Sequence, residues 1–205
     1  MLQTLSTILL QLLLLTQPPL FIIEYYPVMS YGKKQKTKLN TKVIFVSGGV
    51  ISGLGKGITA ASLGVLLKEQ GYSVTNLKCE NYLNLDSGNI NPIEHGDVFL
   101  CEDGLEADLD LGSYERFLNQ EVGYKNFATM GQIYSTVISK TQDLEFNGAT
   151  VDTIPYVPLE VVNRIRQASE GFDIVLVELG STSAVLALSR PTTWRANSTL
   201  ASCMP

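Results

Sequence analysis

The sequence predicts an α/β fold: a parallel sheet with flanking helices, in a Rossmann-like three-layer arrangement that contains a phosphate-type glycine loop (P-loop). Two observations predict it. From Lys42 to Glu178, short apolar runs alternate with longer segments of helical periodicity, the pattern of parallel strands joined by crossover helices. A glycine-rich loop also stands between the first apolar run and the first helical segment, where such folds bind phosphate.

The elements follow in order from the same patterns. Lys42–Ser47 is nearly continuously apolar and bounded by glycine, which is typical of a strand buried on both faces. Ile58–Gln70 has helical spacing, and Gly71 stands where a C′ glycine ends a helix. Tyr72–Cys79 predicts the second strand. The later predicted elements are a β-like run at 97–101, helices at 112–118 and 129–140, a strand at Thr150–Ile154, a helix at 158–169 and a strand at 173–178.

Composition and charge exclude several classes of function. Of 205 residues 45% are hydrophobic and 17% charged, and the formal net charge of −5 argues against nucleic acid as a partner. The leucine-rich run near the amino terminus is too short to cross a bilayer, and Glu24 interrupts its extension. The three cysteines have no metal-ligand spacing, which favours free thiols in a reducing, cytoplasmic compartment.

The two ends differ from the middle of the chain. Residues 1–40 predict a leader outside the fold, 41–180 a single domain, and 181–205 a divergent tail in which the periodic pattern is lost. We therefore expect a sheet that is incomplete at its carboxyl-terminal side, as in a truncated domain.

The glycine loop, Gly48–Gly57, follows a strand and opens a helix. Glycines allow consecutive N–H groups to point at phosphate oxygens, and the helix amino terminus adds partial positive charge. Lys56 would reach the outer phosphates. Five residues separate Gly49 from Gly55, and Gly57 stands where the common phosphate loop has a metal-binding Ser or Thr. Metal ligands must therefore come from elsewhere in the chain.

The loop and several later motifs resemble the amidoligase (synthetase) domain at the amino terminus of CTP synthases. The resemblance covers residues 42–180 and rests on Ser47–Gly57, Lys78–Asn84, Glu94–Phe99, Glu102–Gly104 and Asp108–Phe117. The loop alone would also suit dethiobiotin synthetase-like ligases or partition-type ATPases. The later motifs separate these families.

The resemblance implies an enzyme that uses ATP to phosphorylate the 4-oxygen of UTP and then lets ammonia, released from glutamine in the full-length family, displace the phosphate. It implies Mg²⁺ as cofactor, ATP as co-substrate and a homotetramer. By the same resemblance, Lys56 and Lys78 are the catalytic residues, Ser52 meets UTP or CTP, Asp110 and Glu178 bind the metal, and His95 and Asp103 are site neighbours. The residues implied in ATP binding are Gly53, Leu54, Gly55, Lys56, Gly57, Ile58 and Asp110.

The sequence also departs from the family pattern. Glu80 and Asn81 stand where the family has Asp-Pro, and Val185 and Ala187 stand where it has the acidic pair of its CTP inhibitory site. The motifs of the glutaminase domain do not occur. We therefore expect the isolated chain to be inactive. Two alternatives stay open: a non-catalytic fragment that binds nucleotide or joins oligomers, and a dethiobiotin synthetase-like ligase.

Overall fold

A computed structural model describes residues 21–27, 41–48 and 55–180 of the chain. The first strand, β1 (Phe21–Pro27), pairs antiparallel with β2 (Lys42–Gly48). The next elements are α1 (Lys56–Glu69), β3 (Val74–Glu80), the one-turn helix α2 (Pro92–His95), β4 (Val98–Leu100), β5 (Glu106–Asp108) and α3 (Leu109–Leu118). The last are β6 (Phe127–Thr129), α4 (Met130–Gln142), α5 (Thr153–Ser169) and β7 (Ile174–Leu179).

The main sheet has the strand order β1-β2-β7-β3-β6, and every pairing after β1-β2 is parallel. Strand β7 lies between β2 and β3, so the last strand of the described residues is at the centre of the sheet. The short strands β4 and β5 form a separate antiparallel hairpin. The predicted α/β class is therefore confirmed, with four parallel strands flanked by helices.

Helices cover both faces of this sheet. On one face the apolar side chains of the strands pack against α4 and α5, as Leu77 and Val177 do with Ile133 and Val161. On the other face they pack against α1, as Ile44 and Leu176 do with Leu63. Helix α3 lies on this second face as well, where Leu111 and Tyr114 join Val46 and Ala60. Because strand side chains alternate between faces, one set of parallel strands supplies both cores.

Most predicted elements are confirmed, but the strand expected at Thr150–Ile154 is wrong. Residues 150–152 lead into α5, which begins at Thr153. The prolines that follow are tolerated in the first turns of a helix, and alternation over so few residues did not distinguish a strand from a helix start. The fourth parallel strand is β6 instead. It has three residues, and its last, Thr129, is also the N-cap of α4, where its Oγ1 accepts a hydrogen bond from Gln132 N at 3.1 Å.

One segment of the predicted leader, residues 21–27, lies within the described residues. Phe21–Pro27 pairs along the whole of β2, from Phe21 opposite Gly48 to Pro27 opposite Lys42. An apolar, β-prone run can complete the hydrogen bonding of an edge strand without belonging to the parallel pattern. The remainder of the predicted leader, the loop at 49–54 and the predicted tail at 181–205 lie outside the described residues. Within the described ranges, none of the helices has the length and apolar character needed to cross a bilayer.

Candidate active site

Three charged residues lie at the carboxyl ends of the two central strands: Lys78 and Glu80 on β3 and Glu178 on β7. The parallel register places Lys78 directly opposite Glu178. All three are buried, and by strand alternation they share the face covered by α1 and α3. The carboxyl edge of a parallel sheet is where α/β proteins bind ligands, so these residues mark the candidate site.

Lys78 is the centre of this group. Its Nζ lies 3.3 Å from Glu80 Oε1, 3.4 Å from Asp108 Oδ2 and 3.8 Å from Glu178 Oε1, and it donates a short hydrogen bond to Asp110 Oδ2. We call these five residues the lysine–carboxylate cluster. Burial by itself would lower the pKa of Lys78, but the four carboxylates outweigh burial and hold that pKa well above its ordinary value. The ammonium therefore stays charged at neutral pH.

Helix α3 supplies two of the carboxylates. Asp108 ends β5 and is the N-cap residue of α3, and Asp110 lies in the first turn of that helix. Asp108 Oδ1 accepts hydrogen bonds from Ser87 Oγ at 2.6 Å and from Tyr82 Oη at 3.0 Å. Burial opposes ionisation of Asp108, but Lys78 and these hydrogen bonds prevail and lower its pKa. Asp108 is therefore a fixed anion at the amino end of a helix, where the helix dipole also favours negative charge.

The carboxylates on the strands behave in the opposite way. Burial raises the pKa of Glu80 to about 7 despite the Lys78 charge beside it. Burial also raises the pKa of Glu178, although Lys78, a short hydrogen bond from Tyr114 Oη and the Lys56 charge each favour its ionised form. When ionised, the four carboxylates of the cluster carry more negative charge than the single ammonium of Lys78 can neutralise.

The amino terminus of α1 reaches the same place. Gly55 caps this helix at φ 87°, a left-handed conformation that favours glycine. A Cβ on Gly57 would overlap the Asp110 carboxylate, so the absence of a side chain here leaves room for that carboxylate beside the helix amino terminus. Lys56 is buried, and its charge acts on Glu178. Ile58 is half exposed at the start of the helix. Ser52, Gly53 and Leu54 lie outside the described residues.

The two predicted site neighbours have different outcomes. His95, at the end of α2, joins the cluster: its Nε2 lies 3.2 Å from Asp108 Oδ1, and its ring meets the Tyr82 ring edge-on at 5.1 Å. Asp103 makes other contacts. It accepts hydrogen bonds from the backbone N–H of Leu105 at 3.2 Å and of Tyr124 at 2.7 Å, which gives it a role in holding the turn after β4.

Comparison with known proteins identifies the family of this site. The family model described as CTP synthase N-terminus matches residues 42–187, more than half of the chain. The chain belongs to the CTP synthase N-terminal family. It is 53% identical over 142 residues to the CTP synthase of Pyrococcus horikoshii, 52% identical over 143 residues to that of Symbiobacterium thermophilum and 49% identical over 144 residues to that of Halobacterium salinarum. These matches cover 69–70% of this chain and 26% of each relative, so the chain spans about a quarter of their length.

Sequence reasoning missed three members of this candidate site. Glu80 was noted only as a departure from the family pattern, Asp108 only as part of a motif, and Tyr114 was given no role. One signal could have found Glu80, because it follows Lys78 by two residues on a strand and so points to the same face. Asp108 and Tyr114 reach the site only through the packing of α3, which no local pattern shows.

The residues present fit the Mg²⁺ that the CTP synthase family implies. Asp110 and Glu178 both lie against Lys78 Nζ, and the Asp110 carboxylate also lies against the amino terminus of α1. Carboxylate oxygens are the donors that Mg²⁺ prefers, and the surplus negative charge of the cluster favours a cation. Asp110 and Glu178 are the residues that would hold it.

Proposed function

We propose that this chain carries the ATP-handling half of a CTP synthase reaction, the ATP-dependent amination of UTP. One observation carries the proposal: the lysine–carboxylate cluster and Lys56 meet at the amino terminus of α1, directly after a glycine-rich loop. The cluster supplies fixed charges of both signs beside the backbone N–H groups that bind phosphates. Membership in the CTP synthase family supports the reaction and argues against a dethiobiotin synthetase-like ligase.

The roles of the individual residues follow from their positions. The N–H groups of Gly53–Ile58 would bind the ATP phosphates, since the first turn of a helix leaves its donors unpaired. Lys56 would meet the outer phosphates. Lys78, held by four carboxylates and charged at neutral pH, would stand beside the transferred phosphoryl group and stabilise its developing charge. Mg²⁺ on Asp110 and Glu178 would supply further neutralisation of the phosphate oxygens.

The remaining parts of the reaction belong to the same proposal. UTP would meet Ser52, ammonia would displace the phosphate from the 4-oxygen, and the working assembly would be a homotetramer. Phosphoryl transfer depends on holding both reactants in line, so a weak UTP site removes most of the advantage of positioning. Because Val185 and Ala187 stand where the family has carboxylates, we propose that the isolated chain binds ATP but does not make CTP.

The ATP half of this proposal is tested by calorimetry on the whole chain with ATP and Mg²⁺. Lys56→Ala should weaken ATP binding by about 1–3 kcal/mol, the range for a charge-assisted contact. The matched control is Lys125→Ala, which removes an exposed lysine on the segment before β6 and should leave the affinity unchanged. Equal ATP affinity of the parent and Lys56→Ala would overturn the phosphate-binding role.

The catalytic half is tested separately by nucleotide chromatography. The chain is incubated with UTP, ATP, Mg²⁺ and ammonium salt, and the CTP synthase of Pyrococcus horikoshii serves as positive control. We expect no CTP above background over several hours. A CTP peak that grows with the concentration of the chain would show that the chain is a complete synthetase and would leave the ATP-binding proposal intact.

A further inference from the structure

A second set of potential metal ligands lies beside the pair proposed for Mg²⁺. Glu80 at the end of β3, His95 at the end of α2 and Asp108 at the end of β5 come from three separate elements. One ligand atom from each lies within 4.8 Å of the other two. Glu80 and Asp108 also hold Lys78 in the lysine–carboxylate cluster, but the proposed function gives none of the three residues a role as a metal ligand.

The spacing suits the coordination sphere of one ion. His95 Nε2 and Asp108 Oδ1 are 3.2 Å apart. Two ligand atoms that each lie about 2.1 Å from a metal ion are separated by roughly 3.0–3.4 Å when they are neighbours in its coordination sphere. Glu80 is the third member, with a ligand atom within 4.8 Å of those of the other two. Gly180 makes room for the Glu80 carboxylate, because a Cβ there would overlap it.

Asp108 also has the surroundings of a metal ligand. Ser87 and Tyr82 both donate hydrogen bonds to its Oδ1, which fixes the orientation of the carboxylate in the way that outer-shell residues fix ligands. Its Oδ2 is buried and, among the described residues, accepts no hydrogen bond, although Lys78 Nζ lies 3.4 Å away. This oxygen faces the Lys78 ammonium, so Oδ1, the atom beside His95 Nε2, is the one that would contact the ion.

The charges of the site leave room for a second cation. When all four carboxylates of the lysine–carboxylate cluster are ionised, they and Lys78 carry a net charge of −3, so one Mg²⁺ would still leave −1. A further divalent ion next to Glu80 and Asp108 would offset the remaining repulsion between buried carboxylates.

We propose that Glu80, His95 and Asp108 bind a divalent transition metal ion of the Zn²⁺ type, distinct from the Mg²⁺ of the proposed function. The imidazole decides the class, since ring nitrogen is a preferred ligand of Zn²⁺ and its neighbours in the first row, whereas Mg²⁺ takes oxygen. Three protein ligands leave at least one position open, which is the arrangement of reactive rather than purely structural metal sites. The inference does not rest on the proposed function.

The test uses the single histidine of the chain as its reporter. The whole chain, with ¹⁵N-labelled histidine, is titrated with Zn²⁺ in the absence of nucleotide. We expect the Nε2 resonance to shift with saturation near one equivalent, and excess Mg²⁺ to cause no such shift. Zn²⁺ that binds elsewhere, on thiols for example, leaves the imidazole resonances unchanged, and that result would overturn the proposal.

Variants then locate the ligands, with Zn²⁺ affinity measured by competition with a chelating dye. Loss of an outer-shell partner costs about 10–100-fold in metal affinity, so Glu80→Gln and His95→Gln should lose at least about 100-fold and Tyr82→Phe about 10-fold. The control Glu94→Gln changes an exposed carboxylate next to His95 in the same helix and should change nothing. Because Tyr82→Phe keeps the ring, it is a test even if a ligand variant misfolds.

One variant separates the two cation sites. Asp110→Asn removes a proposed Mg²⁺ ligand but none of the proposed Zn²⁺ ligands, so it should retain the Zn²⁺-dependent shift of His95. If Asp110→Asn abolishes the shift, or if Glu80→Gln keeps the parent affinity, Zn²⁺ occupies the Mg²⁺ position and the second site does not exist.

Discussion

Leu77 and Lys78 are neighbours on β3, yet Leu77 is buried in an apolar core and Lys78 in a charged cluster. Leu77 is fully buried among the apolar side chains of α4 and α5. Lys78 is almost as deeply buried on the other face, among four carboxylates. The same alternation separates Val177 from Glu178 on β7. One face of the sheet is thus stabilised by apolar burial up to its end, whereas the other ends in buried charge.

The difference shows how the fold supports a reactive site. Apolar burial contributes roughly 25 cal/mol per Å² and depends little on pH or salt, so the α4/α5 face can hold the strands in register under all conditions. Buried charges that are incompletely balanced do not stabilise by themselves, and they respond to protons and to cations. The charged end of the α1/α3 face therefore depends on the apolar cores of both faces for its geometry.

The largest expected effect comes from changing the two neighbours in turn. Lys78→Met leaves four carboxylates, three of them buried, without their cation and should lower the free energy of unfolding by about 3–5 kcal/mol at pH 7.5. Leu77→Ala should lower it by about 2–5 kcal/mol through the cavity that it creates. Urea unfolding in the presence of a chelator measures both.

The two losses should separate when the pH is lowered to 5.5. Glu80, whose pKa is raised to about 7, takes up a proton there, so the deficit of Lys78→Met should shrink. The deficit of Leu77→Ala should stay constant. An equal response of the two variants to pH would contradict the division between the faces.

The next effect tests one hydrogen bond on the charged face. Tyr114→Phe removes the donor to Glu178 Oε2 and should cost about 1.5–3 kcal/mol, as for hydrogen bonds to charged groups. The matched control is Tyr134→Phe on α4, a half-buried tyrosine packed against the opposite core, for which we expect a change within about 0.5 kcal/mol. Thermal unfolding of both variants measures the two losses of stability. Similar losses would show that the hydrogen bond to Glu178 adds no particular stability.

A smaller effect should appear in the pH dependence of stability. Because the folded state raises the pKa of Glu80 from 4.5 to about 7, it binds more protons than the unfolded state between these values. Stability should therefore fall as the pH rises through this window and level off above it. Glu80→Gln should remove a decline on the order of 1–2 kcal/mol between pH 5 and 7.5, measured with a chelator present. Glu121→Gln, an exposed change, should keep the parental profile.

The smallest effect lies at the opposite, amino ends of the same strands. There Asp173 accepts hydrogen bonds from the backbone N–H and the hydroxyl of Ser73, and these lower its pKa although it is fully open to solvent. Ser73→Ala should raise the pKa of Asp173 toward 3.8, as followed by NMR titration. Since a lowered carboxyl pKa stabilises the folded state above that value and the effect is lost as the pH falls, the stability difference between the parent and Ser73→Ala should be present at neutral pH and disappear in acid. An unchanged pKa would show that the hydroxyl is not a significant partner.

The sequence predicted the parts of this molecule that depend on local order. The strand, glycine loop and helix from Lys42 to Gln70 follow from apolar periodicity and glycine placement, and the structure has β2 and α1 there. Lys56, Lys78, Asp110 and Glu178 were singled out through motifs, and their described contacts bring them to one place. The strand expected at Thr150–Ile154 was wrong and β6 was missed, because three residues are too few to show a period.

By itself, then, the sequence determined the fold class, the family and the residue types at the carboxyl edge of the sheet, since each is written in short stretches of chain. Only the tertiary structure decided that Glu80 and Asp108 complete the ring around Lys78, that His95 joins them and that Asp103 holds a turn instead. It also decided that Phe21–Pro27 pairs with β2. These outcomes depend on the parallel register of β3 with β7 and on the packing of α3 against α1, which join residues far apart in the chain.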